Sequence, residues 1–138
     1  MSEIKIIQNK ILQILKIFIE TCEENNLMYY ALGGTLLGAV RHGGFIPWDD
    51  DIDIGMPRED YEKFKKIASE KFNDRYLFLS EDTPDYKKAF SVIRDTSTKI
   101  VMNYSNIEQE ESLWIDIFPI DGLPEKGMKR KLHEKQYL

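Results

Sequence analysis

The stretch WDDDIDIG, residues 48–55, places four aspartates within five positions of the chain. Side chains at alternate positions of a β-strand project from one face, so Asp51 and Asp53 would stand side by side. Two carboxylates about 6–7 Å apart repel by roughly 2.5 kcal/mol at an effective dielectric of about 20, and a hard divalent cation relieves that repulsion. The alternating Ile52 and Ile54 favour an ordered strand that binds a ligand, and a solvated acidic loop is the alternative.

A second feature that could do chemistry is the pair Gly33-Gly34, followed by Thr35. The aromatic-rich stretch at 27–32 predicts a short strand, and Thr35 can cap a short helix over 36–42. Glycines let the backbone approach a ligand closely, and a helix N-terminus offers free N–H groups to an anion. The junction therefore suits phosphate, and an ordinary turn is the alternative interpretation.

Asp116 is the third feature, because it lies in the apolar stretch LWIDIFPID, residues 113–121. An unpaired carboxylate there would be costly, and a capped, ion-paired or sheet-edge aspartate is the alternative. If Asp116 lies beside Asp51 and Asp53, the three carboxylates would hold Mg²⁺ or Mn²⁺ next to the glycine turn. Such a site suits phosphoryl transfer, with Asp116 as the candidate to accept the proton of an attacking hydroxyl.

Two arginines are candidates to bind phosphate oxygens, because the planar guanidinium group matches their geometry. Arg41 flanks the glycine turn, and Arg94 ends a predicted strand. A surface ion pair is the alternative interpretation for each of them.

Hydrophobic periodicity predicts the elements that would position these residues. Apolar residues at steps of three and four predict an amphipathic helix over 3–24, with Cys22 as a buried core thiol. Pro57 suits the first turn of a second helix, whose inner face would consist of Tyr61, Phe64, Ala68 and Phe72. Strands are predicted at 27–32, 51–55, 76–80, 89–94, 99–104 and 112–118. This order of elements indicates an α+β or α/β fold.

Composition predicts a soluble globular protein. Of the 138 residues, 42% are hydrophobic and 31% are charged, and the net charge is −5. There is no basic excess for binding nucleic acid, and no stretch approaches the roughly 20 apolar residues of a membrane span. The single cysteine fits a reducing cytoplasm. We expect one domain over 1–138, as the N-terminal part of a longer protein, because the final basic helix shows no end signal.

The segment GGTLLGAVRHGGFIPWDDDIDIGMPREDYEKF, residues 33–64, closely resembles the signature of the LicD family of phosphotransferases. With WIDIFPID and IRDTSTKI, the resemblance extends over residues 25–122. The family is related to fukutin-type proteins and is similar to DNA polymerase β-type nucleotidyltransferases, which implies a mixed β-sheet flanked by helices. By position, the resemblance assigns Gly33, Gly34 and Thr35 to the phosphate, Asp51 and Asp53 to the metal, and Asp116 to the third carboxylate.

The resemblance also implies an activity. Members transfer phosphocholine or a related phosphorylated alcohol from a CDP-activated donor to a cell-surface glycan, such as lipopolysaccharide or teichoic acid. The expected protein is thus a cytoplasmic enzyme that uses Mg²⁺ or Mn²⁺ and binds a CDP-linked donor and a glycan acceptor. It would not bind nucleic acid, and it could associate peripherally with the membrane where glycans are assembled.

Other functions would use the same carboxylates. A nucleotidyltransferase would take a whole nucleotidyl group from a triphosphate, and a non-catalytic module would bind nucleotide or metal without turnover. An EF-hand-like calcium loop would fit Asp49, Asp51 and Asp53 at its first, third and fifth positions, but Ile54 stands where that loop requires glycine.

Overall fold

The computed structural model describes residues 3–33, 51–104 and 107–122. In chain order, the elements are α1 (Glu3–Glu24), β1 (Tyr30–Ala31), β2 (Asp53–Pro57), α2 (Arg58–Lys71), β3 (Tyr76–Leu79), β4 (Ser91–Tyr104) and β5 (Ile107–Ile120). The mixture of helices and strands confirms the predicted α+β class. No helix in these ranges combines the length and the apolar character that a membrane span requires.

The five strands of the described ranges form one mixed sheet in the order β1-β2-β5-β4-β3. β2 and β5 pair in parallel, and the other neighbouring strands pair antiparallel. A parallel pair needs a long crossover connection, which here contains α2, β3 and β4. Two segments that are distant in sequence therefore lie side by side at the centre of the sheet.

The sheet has one face against the helices and one face that carries polar side chains. Ile54, Ile115 and Ile117 are fully buried on the helix face. Phe18 of α1 contacts Phe64 of α2 edge-on, with 5.0 Å between ring centroids, and Phe64 contacts Phe78 of β3 at 5.7 Å. These contacts join both helices and the sheet into a single core.

Helix α1 has the bounds that its periodicity predicts, and Cys22 is fully buried as expected. The sequence EENN ends the helix because Asn26 adopts a positive φ of 54°. The Leu27 N–H then donates to the Cys22 carbonyl at 2.8 Å, and the Asn26 N–H donates to the Glu23 carbonyl at 3.4 Å. This pair of bonds is a Schellman motif, in which asparagine can replace the usual glycine.

Helix α2 begins one residue later than predicted, because Pro57 takes the N-cap position at the end of β2. The predicted inner face is correct: Tyr61, Phe64 and Ala68 are buried, and so is Phe72 directly after the helix. In the first turn, the Asp60 carboxylate accepts a hydrogen bond from the Met28 N–H at 2.7 Å. This bond ties the start of α2 to the segment that leads into β1.

All six predicted strands have different bounds in the structure: the strand predicted at 76–80 ends at Leu79, and the strand predicted at 112–118 is Ile107–Ile120. The strand predicted at 27–32 is reduced to Tyr30–Ala31, and the strand predicted at 51–55 begins at Asp53 and runs to Pro57. The strands predicted at 89–94 and 99–104 are one strand, β4, with an irregular register between Asp95 and Ile100. Local hydrogen bonds account for the continuous strand: Thr98 Oγ1 donates to the Asp95 carbonyl at 2.7 Å and accepts from the Leu113 N–H at 2.9 Å.

Candidate functional site

The parallel pairing of β2 with β5 places Asp53 directly opposite Asp116. The Asp116 N–H donates to the Ile52 carbonyl at 3.0 Å, and the Asp53 carbonyl accepts from the Leu32 N–H at 2.9 Å. Because directly paired residues project from the same face of a sheet, the two carboxyl groups meet, and they are in hydrogen-bonding contact. The structure thus brings together two of the three carboxylates that the sequence singles out.

The surroundings of Asp116 favour its neutral form. Burial and the adjacent Asp53 carboxylate raise the pKa of Asp116 from its ordinary value to about 6. A hydrogen bond from Trp114 Nε1 to Asp116 Oδ1, at 2.9 Å, and the positive charge of Lys88 act in the opposite direction. The net shift means that the fold alone does not compensate the combined negative charge of the pair.

The donor atoms of this pair fit a hard divalent cation. Mg²⁺ and Mn²⁺ prefer carboxylate oxygens, and Mg²⁺ commonly binds through one or two carboxylates, with water and substrate phosphate completing the octahedron. In residues 3–33, 51–104 and 107–122, no three His, Cys, Asp or Glu side chains form a group that could hold a metal ion. Asp51 is exposed and precedes β2, so its role as a third ligand stays a prediction.

The predicted phosphate turn is described only in part. Gly33 follows β1 with a positive φ of 52°, a conformation that glycine adopts without steric strain. The Leu32 N–H donates to the Asp53 carbonyl, so Gly33 directly follows a residue that is bonded to the backbone of the carboxylate pair. Gly34, Thr35, Arg41 and the helix predicted at 36–42 lie outside the described residues.

Arg94 lies on the same face of the sheet as Asp116. It pairs with Trp114 across β4 and β5, and Trp114 and Asp116 are alternate residues of one strand. The Arg94 Nε is buried and has no hydrogen-bond partner in the described part of the chain. A guanidinium nitrogen in this position is suited to an anion at the site, as the sequence predicts for Arg94.

Residues 80–90 connect β3 to β4 and were not predicted to lie near the site; we call this segment the 80–90 connection. This segment passes over the face that carries Asp116, and Phe90 packs against Phe118 with 4.5 Å between ring centroids. Burial and the nearby negative charge of Asp116 raise the pKa of Tyr86 to about 12, while Arg94 acts to lower it. The alternation of Tyr86, Lys88 and Phe90 is a signal in the sequence that could have identified this segment.

Comparison with known proteins identifies the family. A family model described as the LicD/FKTN/FKRP nucleotidyltransferase domain matches residues 26–137. The lipopolysaccharide cholinephosphotransferase LicD of Haemophilus influenzae is 37% identical over 115 residues, which are 82% of this chain and 42% of that protein. The human ribitol 5-phosphate transferase FKRP is 53% identical over 38 residues, which are 28% of this chain and 8% of that protein.

An uncharacterized protein of Rickettsia prowazekii, RP689, is 34% identical over 113 residues, or 82% of this chain and 40% of that protein. The chain thus spans about two fifths of the length of the Haemophilus and Rickettsia prowazekii relatives. The family match includes both Asp53 and Asp116, as well as the Gly33 turn and Arg94. This chain belongs to the LicD/FKTN/FKRP nucleotidyltransferase-domain family.

Proposed function

We propose that the protein is a metal-dependent phosphotransferase that moves a phosphorylated alcohol, such as phosphocholine, from a CDP-activated donor to a cell-surface glycan. The glycan would be a lipopolysaccharide or a teichoic acid, and the reaction would take place in the cytoplasm. The observation that carries the proposal is the contact between the Asp53 and Asp116 carboxyl groups across the parallel strands β2 and β5. The similarity to the Haemophilus cholinephosphotransferase supports the choice of phosphocholine as the first candidate group.

In the proposed reaction, a hydroxyl oxygen of the glycan attacks the phosphorus atom that carries the alcohol. The bond from that phosphorus to the bridging oxygen of the diphosphate breaks, so CMP leaves with that oxygen, and a phosphodiester forms on the glycan. The proton of the hydroxyl passes to a carboxylate, for which Asp116 is our candidate.

Asp53 and Asp116 would hold a divalent ion, with Asp51 as the predicted third ligand. When bound, Mg²⁺ or Mn²⁺ would neutralise charge on the donor phosphates and orient them. The Gly33–Thr35 turn, Arg41 and Arg94 are proposed to bind the phosphate oxygens. In this assignment, the chain's main contribution is to position the donor and to exclude water from the bond that breaks.

The test is a screen of the full-length protein with CDP-choline and other CDP-linked alcohols, in which release of CMP is measured with and without Mg²⁺. We expect metal-dependent release of CMP with at least one donor. Asp53→Asn should lower the rate by about 100-fold or more, because it removes a proposed ligand of the divalent ion whose charge would stabilise the transferring phosphoryl group.

Asp74→Asn is the matched control, because Asp74 is an exposed aspartate outside the paired strands. It should leave the rate within about twofold of the parent protein. Release of pyrophosphate from a nucleoside triphosphate, with no CMP from any CDP-linked donor, would instead support the nucleotidyltransferase alternative. Near-normal CMP release by Asp53→Asn would overturn the site.

A further inference from the structure

The 80–90 connection holds a lysine beside the carboxylate pair. The Lys88 Nζ lies 5.5 Å from the ring centroid of Phe90 and 6.0 Å from that of Trp114. Trp114 is also the residue whose Nε1 donates to Asp116 Oδ1. The indole therefore has the ammonium group of Lys88 over its ring and the carboxylate of Asp116 at its edge.

Local contacts fix the position of this connection. At its start, Lys65 binds Glu81 at 3.3 Å and Asp82 at 2.9 Å, which ties the connection to α2. At its end, the Tyr86 hydroxyl donates to the Phe90 carbonyl at 2.7 Å, and the Phe90 ring packs against Phe118 of β5. Lys88 is thus carried by a segment that is anchored to the helix on one side and to the sheet on the other.

The charge of Lys88 is available to a ligand. Lys88 is exposed, and no carboxylate of the described residues lies within 4.0 Å of its ammonium group, whereas Lys65 has three such partners. Lys88 lies on the side of the sheet that carries the pair, because the Trp114 ring that it contacts also donates to Asp116. Ring faces attract a cation without neutralising it, so the ammonium group keeps its full charge and its hydrogen-bond donors.

We propose that Lys88 is a substrate-binding residue that donates hydrogen bonds to a phosphate oxygen of the diphosphate-bearing donor. This assignment rests on the proposed function. A diphosphate next to two carboxylates brings more negative charge than one divalent cation balances, so the site needs further positive charge on its open side. Lys88 supplies that charge from the 80–90 connection, and Phe90 and Trp114 hold the ammonium group in place.

The test compares Lys88→Met with Lys87→Met in the full-length protein. Lys87 is the adjacent exposed lysine, so both variants lose one positive charge from the same segment. Binding of inorganic pyrophosphate and of CDP, each with Mg²⁺, is measured by titration calorimetry. We expect Lys88→Met to weaken both affinities by about 10-fold, Lys87→Met to change them by less than about twofold, and Lys88→Arg to restore most of the loss.

Kinetics separate a binding role from a structural one. With a CDP-linked donor, Lys88→Met should raise the KM for the donor and leave the KM for the acceptor and the melting temperature unchanged. Equal affinities of Lys88→Met and Lys87→Met, or wild-type protein that binds neither probe, would overturn the assignment of Lys88. A selective loss of pyrophosphate binding in Lys88→Met, together with no CMP release by the parent protein, would support Lys88 and overturn the proposed transferase activity instead.

Discussion

Asp95 and Asp116 lie on the same pair of strands, β4 and β5, but on opposite faces of the sheet. Asp95 faces the helices and is fully buried. It accepts hydrogen bonds from Arg75 Nε at 3.2 Å, Arg75 Nη2 at 3.3 Å, and the N–H and hydroxyl of Ser97 at 3.0 and 2.6 Å. Asp116 is partly exposed, and it is paired across the strands with another carboxylate, Asp53.

The pKa values of the two groups move in opposite directions. Burial acts to raise the pKa of Asp95, but the hydrogen bonds from Arg75 and Ser97 hold it below its ordinary value. Burial and Asp53 together raise the pKa of Asp116 to about 6. Within the described residues, Asp95 is satisfied by Arg75 and Ser97, whereas the hydrogen bond from Trp114 and the charge of Lys88 do not outweigh burial and Asp53 at Asp116. Burial acts to raise both pKa values, so the partners of each carboxylate decide the direction of its net shift.

The largest expected effect that separates the two acids is on activity. Asp116→Asn should lower CMP release by about 100-fold or more, because it removes half of the carboxylate pair. Its melting temperature without metal should stay the same or rise, because the like-charge repulsion with Asp53 is gone. Enzyme assays and thermal unfolding of the same preparation check both statements.

Asp95→Asn provides the control for that experiment. At temperatures where it stays folded, it should retain the specific activity of the parent protein, because Asp95 lies on the opposite face of the sheet from the carboxylate pair. A loss of activity as large as that of Asp116→Asn, with no loss of stability, would contradict the division between the two faces.

The next largest effect is on stability. Asp95→Ala should lower the free energy of unfolding by about 1–3 kcal/mol, because it removes a buried acceptor of four hydrogen bonds from Arg75 and Ser97. Urea denaturation of the parent protein and the variant measures the difference. An unchanged denaturation midpoint would show that these bonds do not stabilise the fold.

A lower pH should reduce the stabilisation that the Asp95 carboxylate provides. Because the folded-state pKa of Asp95 lies below its unfolded value of about 3.9, the stabilisation is fully present above that pH and is lost as the pH falls through the folded-state pKa. The free energy of unfolding of the parent protein should therefore fall more steeply below about pH 4 than that of Asp95→Ala. Parallel pH profiles for the two proteins would refute this linkage.

The smallest expected effect concerns Arg75. Its side chain is 51% exposed, so water replaces much of what the ion pair provides. Arg75→Met should cost less than about 1 kcal/mol, well below the effect of Asp95→Ala, because the Ser97 bonds to Asp95 remain. A loss in Arg75→Met as large as that in Asp95→Ala would mean that the ion pair, and not the pair of Ser97 hydrogen bonds, satisfies the buried carboxylate.

The spacing of apolar residues in the sequence predicted the helices α1 and α2 and their buried faces correctly. Helix α1, the inner face of α2 and the buried Ile52 and Ile54 follow from spacing alone, because each pattern is set within a few turns or a few strand positions. The proximity of Asp53 and Asp116 was also predicted, since carboxylates are rarely placed in apolar strands without a partner, and the chemistry of the pair stays a prediction.

Other features depend on contacts that a local pattern does not contain. The sequence DTST, residues 95–98, has the composition of a turn, but β4 continues through it because these polar groups bond to one another and to the adjacent strand β5. The pairing of β2 with β5 joins segments that are far apart in the sequence. Lys88 was missed because two adjacent lysines in a connection usually indicate a solvated surface.

The register of β2 against β5 has a consequence for how this chain avoids misfolding. Because side chains alternate, a shift of either strand by one residue would turn its aspartate towards the helices and its isoleucines towards water. No cation could reach a carboxylate sealed among Phe18, Phe64 and their neighbours. The acids proposed to serve catalysis therefore also penalise every odd-numbered slip of the two central strands, so that selection for the reaction preserves the alignment of the sheet.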